Sequence, residues 1–159
     1  MIEQEAIVDS PLNVMPSLNH SYICSRILRQ LFQYPQIEAL TELTLDIDKG
    51  ITPDIVVYPA ASISPNFFRD ISKVPEMPLL AIEVISASQS IQDLLEKSER
   101  LVEAGVAQVW TVEPFTHTVF ISSLEGETLS HNKTIAYEHL EINIEVDFPA
   151  IFNLTASHN

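Results

Sequence analysis

The spacing of apolar residues predicts two helices. From Ser17 onward, isoleucine and leucine recur at three- and four-residue intervals, the period of an amphipathic helix, and the pattern stops before Pro35. Residues 91–104 (IQDLLEKSERLVEA) repeat the pattern more clearly and are followed by Gly105, a residue typical of helix ends. We therefore expect one helix between Ser17 and Pro35 and a second over residues 91–104.

Extended segments lie between and after these helices. Residues 41–48 (TELTLDID) alternate between apolar and polar side chains, which predicts a half-buried strand. Residues 55–58 (IVVY) are a short run rich in β-branched side chains. The simplest arrangement pairs residues 54–58 antiparallel with that strand. Residues 79–85 (LLAIEVI) have the apolar density of a central strand buried on both faces. Further strands are predicted at 107–112, 117–122 and 140–146.

A βαβ unit sets the predicted fold class. The central strand, the second helix and the strand at 107–112 form a crossover, so part of the sheet should be parallel. Together with the antiparallel pair, this predicts a mixed β-sheet flanked by helices in a single α/β domain over residues 17–152. Residues 1–16 are expected to be a lead-in, and residues 153–159 a short tail.

The composition is that of one globular domain. The chain has 159 residues, 46% of them hydrophobic and 19% charged, which argues against disorder. The single cysteine, Cys24, excludes a disulfide framework and a zinc site built on cysteines. No apolar run is long enough to cross a bilayer, and the N-terminal MIEQEAIVDS lacks the basic-then-apolar order of a signal peptide. We expect a cytoplasmic protein with no membrane segment.

The charge restricts the partners. Eight Lys and Arg stand against 22 Asp and Glu, a formal net charge of −14. Such a chain repels nucleic acid at long range. Any function on DNA would therefore depend on a local site where a metal ion or a partner offsets this field.

Two carboxylates stand out against their surroundings. Glu83 interrupts the most apolar strand, where an ionised carboxylate costs several kcal/mol unless it is paired or metal-bound. The alternative is a strand-end residue with its carboxylate in water. Asp54 opens the adjacent strand directly after Pro53, and the alternative there is ordinary turn chemistry. If the two carboxylates converge, a proton or a cation must lie between them.

Lys97 is the third candidate. It lies on the flank of the second helix, about 100° from the centre of the apolar stripe, from which it could reach the end of the central strand. It also follows Asp93 by four positions, the spacing of an ordinary surface ion pair, so both interpretations stay open.

These residues occur in an order that resembles a known family. The chain is similar to the PD-(D/E)XK nuclease superfamily, the restriction-endonuclease-like fold, and within it to the Uma-two type of endonucleases. The resemblance covers about residues 17–122. It depends on an ordered set of motifs: PDIVV (53–57), IEVIS-x-S (82–88), D-x-x-x-K (93–97), and GV (105–106) followed by W-x-V-x-P (110–114).

The resemblance implies a Mg²⁺-dependent endonuclease acting on DNA, with Mn²⁺ as a substitute metal. Asp54 and Glu83 would bind the metal with the backbone carbonyl of Val84, and Lys97 would assist the attacking water. The general superfamily pattern has a lysine where this chain has Ile85; in the Uma-two type it comes from the following helix. Superfamily members often add an acid from the first helix, but residues 17–34 contain none.

Four further residues are candidates for supporting roles around the metal. Glu42 would add an oxygen from the polar face of the strand at 41–48. His20 would lie near the site or simply pack in the first helix, Ser86 would cap the second helix or contact a phosphate, and Asp93 would pair with Lys97. DNA binding is expected to be weak and salt-dependent because few basic residues are available. A homodimer is possible through the proline-rich residues 59–78 and the C-terminal strands.

A different class of function fits the charge. The chain could be a catalytically inactive nuclease-fold protein that acts as an acidic interaction module, since it lacks basic clusters and an acid on the first helix. A weaker third idea is a DNA-mimicking acidic module. Retention of Asp54, Glu83 and Lys97 together favours the nuclease.

Overall fold

Three helices and eight strands make up the described part of the chain. The computed structural model describes residues 17–153. The helices are α1 (Leu18–Leu31), α2 (Ile91–Glu103) and α3 (Phe148–Phe152), with a 3-10 turn at Ala60–Ser62. The strands are β1 (Ile37–Thr41), β2 (Ile55–Pro59), β3 (Leu80–Val84), β4 (Gln108–Glu113), β5 (Thr118–Ser123), β6 (Gly126–His131), β7 (Thr134–His139) and β8 (Ile142–Asp147).

The main sheet is mixed, as predicted. Its strands lie in the order β1-β2-β3-β4-β5-β6, and β7 and β8 form a separate two-stranded sheet. The central β3 is buried along its whole length, pairs antiparallel with β2 and parallel with β4, and is joined to β4 through α2. The predicted βαβ crossover is therefore confirmed.

Each face of the sheet has its own core. Ile82 packs in a cluster with Ile27 of α1, and Ala81 packs in a cluster with Leu101 of α2. Because side chains alternate along a strand, Glu83 lies on the same face as Ala81 and points toward α2. This parity explains why a side chain of α2 can reach Glu83.

The first strand is not where alternation placed it. The strand predicted at 41–48 is wrong: β1 ends at Thr41, and it is β1 that pairs with β2. Glu42 has a φ of 51°, a left-handed conformation that turns the chain out of the sheet. Leu45 is nevertheless fully buried, held by isolated bridges to Ile51 and Val74. The alternating pattern therefore reflected burial of an irregular segment.

Two strands were not predicted. The hairpin partner of β5 is β6, whose residues are almost all exposed, and alternation marks a strand only where one face is buried. β7 does alternate, with Ile135 and Tyr137 buried, so its signal was present and was missed. The last predicted strand, 140–146, corresponds to β8.

The predicted lead-in (1–16) lies outside the described residues, as does all but the first residue of the predicted tail (153–159). Within residues 17–153, no helix combines the length and the apolar character needed to span a membrane. The cytoplasmic location and the homodimer stay predictions.

Candidate active site

The candidate site lies where β2 begins and β3 ends. Because these strands are antiparallel and Ile55 is opposite Ile82, Asp54 comes to the level of Glu83. Asp54 and Glu83 are 29 positions apart in sequence, yet they meet at one edge of two paired strands.

Asp54 is fixed by two contacts to one oxygen. Its Oδ2 accepts a hydrogen bond of 2.8 Å from the backbone N–H of Val84 and lies 3.1 Å from Nε2 of His20. The Asp54 side chain is 21% exposed, so the carboxylate also faces solvent. The position after Pro53 is therefore more than a turn, since the side chain ties the start of β2 to the end of β3.

Glu83 is buried and paired with Lys97. The Glu83 side chain is 3% exposed, and Lys97 Nζ lies 2.5 Å from its Oε2. Lys97 also donates a hydrogen bond of 3.3 Å to the backbone carbonyl of Thr52. Lys97 is therefore the cationic partner of the buried Oε2, and the Asp54 carboxylate lies close enough to act on Glu83 as well. Lys97 therefore points into the site, and its recorded ion pair is with Glu83, not with Asp93.

The charge on Glu83 is only partly compensated. Burial raises the pKa of Glu83 from 4.5 to about 7, the Lys97 ammonium opposes this rise, and the neighbouring Asp54 carboxylate adds to it. Lys97 alone is thus insufficient to offset the cost of burial. Either a proton on Glu83 or a further cation beside it would lower this cost.

His20 and Cys24 bring α1 into the site. The hydrogen bond to Asp54 and the neighbouring Cys24 raise the pKa of His20 to about 10 despite burial. Cys24 Sγ lies 4.0 Å from His20 Nε2, and burial raises the pKa of its thiol. His20 thus contacts Asp54 directly, and the sequence reasoning missed Cys24. The four-residue spacing of His20 and Cys24 was the available signal, because it places both side chains on one helix face.

Glu42 and Val84 contact Asp54 through their backbones and not through the groups that were predicted to bind the metal. Glu42 is exposed, and its backbone N–H donates to the backbone carbonyl of Asp54 at 3.1 Å. No hydrogen bond or ion pair of the Glu42 side chain occurs among residues 17–153. Val84 contacts Asp54 through its N–H, which leaves its carbonyl as a ligand only by proposal.

Ser86 does not cap α2. It is 3% exposed, and both its N–H and its hydroxyl donate to Oε1 of Gln89, closing the turn after β3. Ser90 is the cap, accepting from the N–H of Asp93 at 3.4 Å. The Asp93 side chain is exposed.

An open groove leads from solvent to Lys97. It runs between the segment before β2 and the first two turns of α2, and it is lined by Gly50, Ile51, Thr52, Gln89, Asp93, Leu94, Glu96, Lys97 and Arg100. Arg100 lies at its rim in an exposed ion pair with Asp48, 2.8 Å from Oδ2. The groove therefore opens the Lys97 side chain to solvent from the α2 side.

Comparison with known proteins places the chain in a family. Residues 5–157 match the Uma2 family model, described as "Putative restriction endonuclease". A search of curated proteins gives no match. A solved structure from Anabaena variabilis, described as a "putative nuclease belonging to DUF820", superposes with a TM-score of 0.70 at 19% identity, covering 87% of this chain and 83% of that chain.

A second solved structure is a much weaker match. The DrdV–DNA complex aligns with a TM-score of 0.46 at 9% identity, over 95% of this chain and 13% of that chain, too weak to carry an argument. The match over residues 5–157 and the shared nuclease-like fold lead to one conclusion: the chain belongs to the Uma2 family, described as putative restriction endonucleases.

Proposed function

We propose that this protein is a Mg²⁺-dependent endonuclease that hydrolyses phosphodiester bonds of DNA. Asp54 and Glu83 hold the metal, the backbone carbonyl of Val84 adds a ligand, and Lys97 assists the attacking water. The observation that supports this most directly is a buried carboxylate, Glu83, which is paired with Lys97 and has a second carboxylate, Asp54, as its neighbour.

The donor set suits a hard divalent cation. Mg²⁺ prefers a few carboxylate and carbonyl oxygens and keeps several waters. Asp54 and Glu83 offer such oxygens at one edge of the sheet, and the partly exposed Asp54 leaves room for water. Burial raises the pKa of Glu83 to about 7, and a divalent cation beside it would favour the ionised form. Mn²⁺ has the same preference for oxygen and should substitute.

Each side chain has a part in the proposed reaction. Bound Mg²⁺ neutralises developing charge on the phosphate and lowers the pKa of coordinated water. Lys97, with a side chain 25% exposed, is close enough to Glu83 to orient a water there and to stabilise negative charge on a phosphate oxygen. His20 and the Val84 N–H hold Asp54 in one orientation, so the ligand is preorganised.

The acidic surface limits the affinity for DNA. With 8 basic residues against 22 acidic ones, few cations can contact phosphates, and affinity should be weak and should fall as salt rises. Arg100, at the rim of the groove, is the nearest additional cation on α2. We assign the nuclease unit to residues 17–152.

A plasmid-cleavage assay tests the proposal. Wild-type protein with Mg²⁺ or Mn²⁺ should nick supercoiled DNA, and Asp54→Asn, Glu83→Gln and Lys97→Met should each lower the rate by at least about 100-fold. Glu99→Gln is the matched control, because Glu99 lies on the same helix as Lys97 but is exposed and does not line the groove. DNA that stays intact with wild type at high protein and Mn²⁺ concentrations would refute the proposal, as would full activity in Glu83→Gln.

A catalytically inactive interaction module is the second candidate. It is favoured by the net charge of −14 and by the lack of an acidic residue in α1. In this case wild type and Glu83→Gln would be equally inactive on DNA, and Mg²⁺ would leave the melting temperature of both unchanged.

A further inference from the structure

A second cluster of metal-binding side chains lies beside the carboxylate pair. His20 Nε2 is 3.1 Å from Asp54 Oδ2 and 4.0 Å from Cys24 Sγ, and one donor atom of each residue lies within 4.8 Å of the other two. His20 and Cys24 lie on one face of α1, and Asp54 meets them from the start of β2. Three possible metal ligands, an imidazole nitrogen, a thiol sulfur and a carboxylate oxygen, therefore lie close together.

This donor set matches a soft cation better than Mg²⁺. Zn²⁺ binds nitrogen and oxygen at about 2.0–2.2 Å and sulfur at about 2.3 Å, usually in a tetrahedron. Such bonds place nitrogen and oxygen about 3.3 Å apart, and nitrogen and sulfur about 3.6 Å apart. In the structure His20 Nε2 lies 3.1 Å from Asp54 Oδ2, slightly closer than the zinc geometry, and 4.0 Å from Cys24 Sγ, slightly farther. Small side-chain movements would therefore bring all three atoms to bonding distance of one ion. Mg²⁺ takes oxygen ligands and does not select a thiolate.

We propose that His20, Cys24 and Asp54 form a binding site for Zn²⁺, with a water as the fourth ligand. The single cysteine excludes a zinc site built on cysteines alone, but a mixed site needs only one. The side chains of His20 and Asp54 are 16% and 21% exposed, so the ion can enter from solvent. Cys24 binds as the thiolate and His20 as the neutral imidazole, so binding of Zn²⁺ releases one proton from each side chain.

Zn²⁺ at this position regulates the neighbouring carboxylate pair. Asp54 belongs to both sets of ligands, and an ion held by His20 and Cys24 draws its carboxylate toward α1. Zn²⁺ should therefore inhibit DNA cleavage by competing for Asp54. This regulatory consequence rests on the proposed function, whereas the binding of Zn²⁺ does not.

Cobalt spectroscopy tests the site without any activity. Titration of the full-length chain with Co²⁺ should produce a sulfur-to-cobalt charge-transfer band, and Zn²⁺ should remove it by displacement. Cys24→Ser should abolish the band and lower the Zn²⁺ affinity by more than about tenfold. His20→Gln tests the same site through a second ligand and should also weaken binding. His131→Gln, which changes an exposed histidine, is the control that keeps the band.

Two results would overturn the site: a wild-type titration without the band, or a band that persists in Cys24→Ser. Glu83→Gln separates this proposal from the nuclease proposal. It should keep the cobalt band and lose the Mg²⁺-induced rise in melting temperature. Cys24→Ser should lose the cobalt band and keep the Mg²⁺-induced rise. Failure of Mg²⁺ to stabilise wild type would count against the carboxylate site alone. Zn²⁺ that binds but leaves cleavage unaffected would overturn the regulatory consequence alone.

Discussion

Replacing Glu83 with glutamine should stabilise the metal-free protein at alkaline pH. The substitution keeps the shape of the side chain and removes a charge that is almost completely buried. Since the folded protein raises the pKa of Glu83 from 4.5 to about 7, the folded state holds a proton there more tightly than the unfolded chain does. Wild-type stability should therefore fall as pH rises from about 4.5 to about 7, and then level off.

The size of this effect follows from the two pKa values. Each pKa unit corresponds to about 1.4 kcal/mol, so ionisation of Glu83 costs the folded state about 3 kcal/mol at pH 8. Because the Glu83 side chain is 3% exposed, solvent screens its charge very little. The contribution of His20 to the free energy of unfolding also falls as pH rises, between about 6.5 and 10, but this loss is the same in both proteins. The difference between wild type and Glu83→Gln isolates the contribution of position 83.

Urea unfolding with a chelator present, measured from pH 5 to pH 8, provides the assay. Between these pH values the free energy of unfolding of wild type should drop by roughly 2–3 kcal/mol more than that of Glu83→Gln, because part of the effect is already lost at pH 5. Glu99→Gln is the matched control, an exposed glutamate on α2 whose curve should run parallel to wild type. Parallel curves for wild type and Glu83→Gln would refute the reasoning. So would a Glu83→Gln protein that is less stable than wild type at pH 8.

Three further changes have distinct expected outcomes. Lys97→Met should lower the free energy of unfolding by about 3 kcal/mol at pH 8, because it removes the cation beside the buried Glu83. The loss should be much smaller at pH 5, where Glu83 is protonated, and urea unfolding at both pH values measures it. Ser98→Ala should cost about 1–3 kcal/mol by the same measurement, because the buried Ser98 hydroxyl lies 3.1 Å from that of Thr111. Gly105→Ala should lower the thermal midpoint and cost at least about 1 kcal/mol, since the residue has a φ of 117°.

The buried parts of the fold were predictable from the sequence. The segment at β3 reads as a central strand because every residue in it is buried, so a continuous apolar run is the correct signature. α2 was predicted almost to its ends, since its apolar stripe and Gly105 mark the boundaries. Where burial gives no pattern, as in β6, or where a backbone turn at Glu42 interrupts it, local spacing is insufficient.

The site was predictable only in part, because it depends on contacts across the chain. Asp54 and Glu83 stand out individually, one after a proline and one inside an apolar strand. Whether they converge depends on the pairing of β2 with β3, which local patterns do not determine. The contact between His20 and Asp54 requires α1 to pack against that same edge, over a separation of 34 positions. Neither partner gives a local signal of this contact.

The candidate site was found from a conflict within the sequence pattern. An acidic residue in the most apolar strand contradicts the pattern that forms the strand, and such conflicts between local pattern and fold concentrate at functional sites. In the structure Lys97 approaches Glu83 from α2, yet the pKa of Glu83 stays raised, so the ion pair compensates the burial of the carboxylate only in part. A buried ion pair can stay under-compensated for structural reasons alone, because the desolvation of two charges can exceed their mutual attraction. The Mg²⁺ titration of wild type and Glu83→Gln therefore decides whether the raised pKa of Glu83 belongs to a metal site, since only a metal site would be stabilised by the ion in wild type and not in the variant.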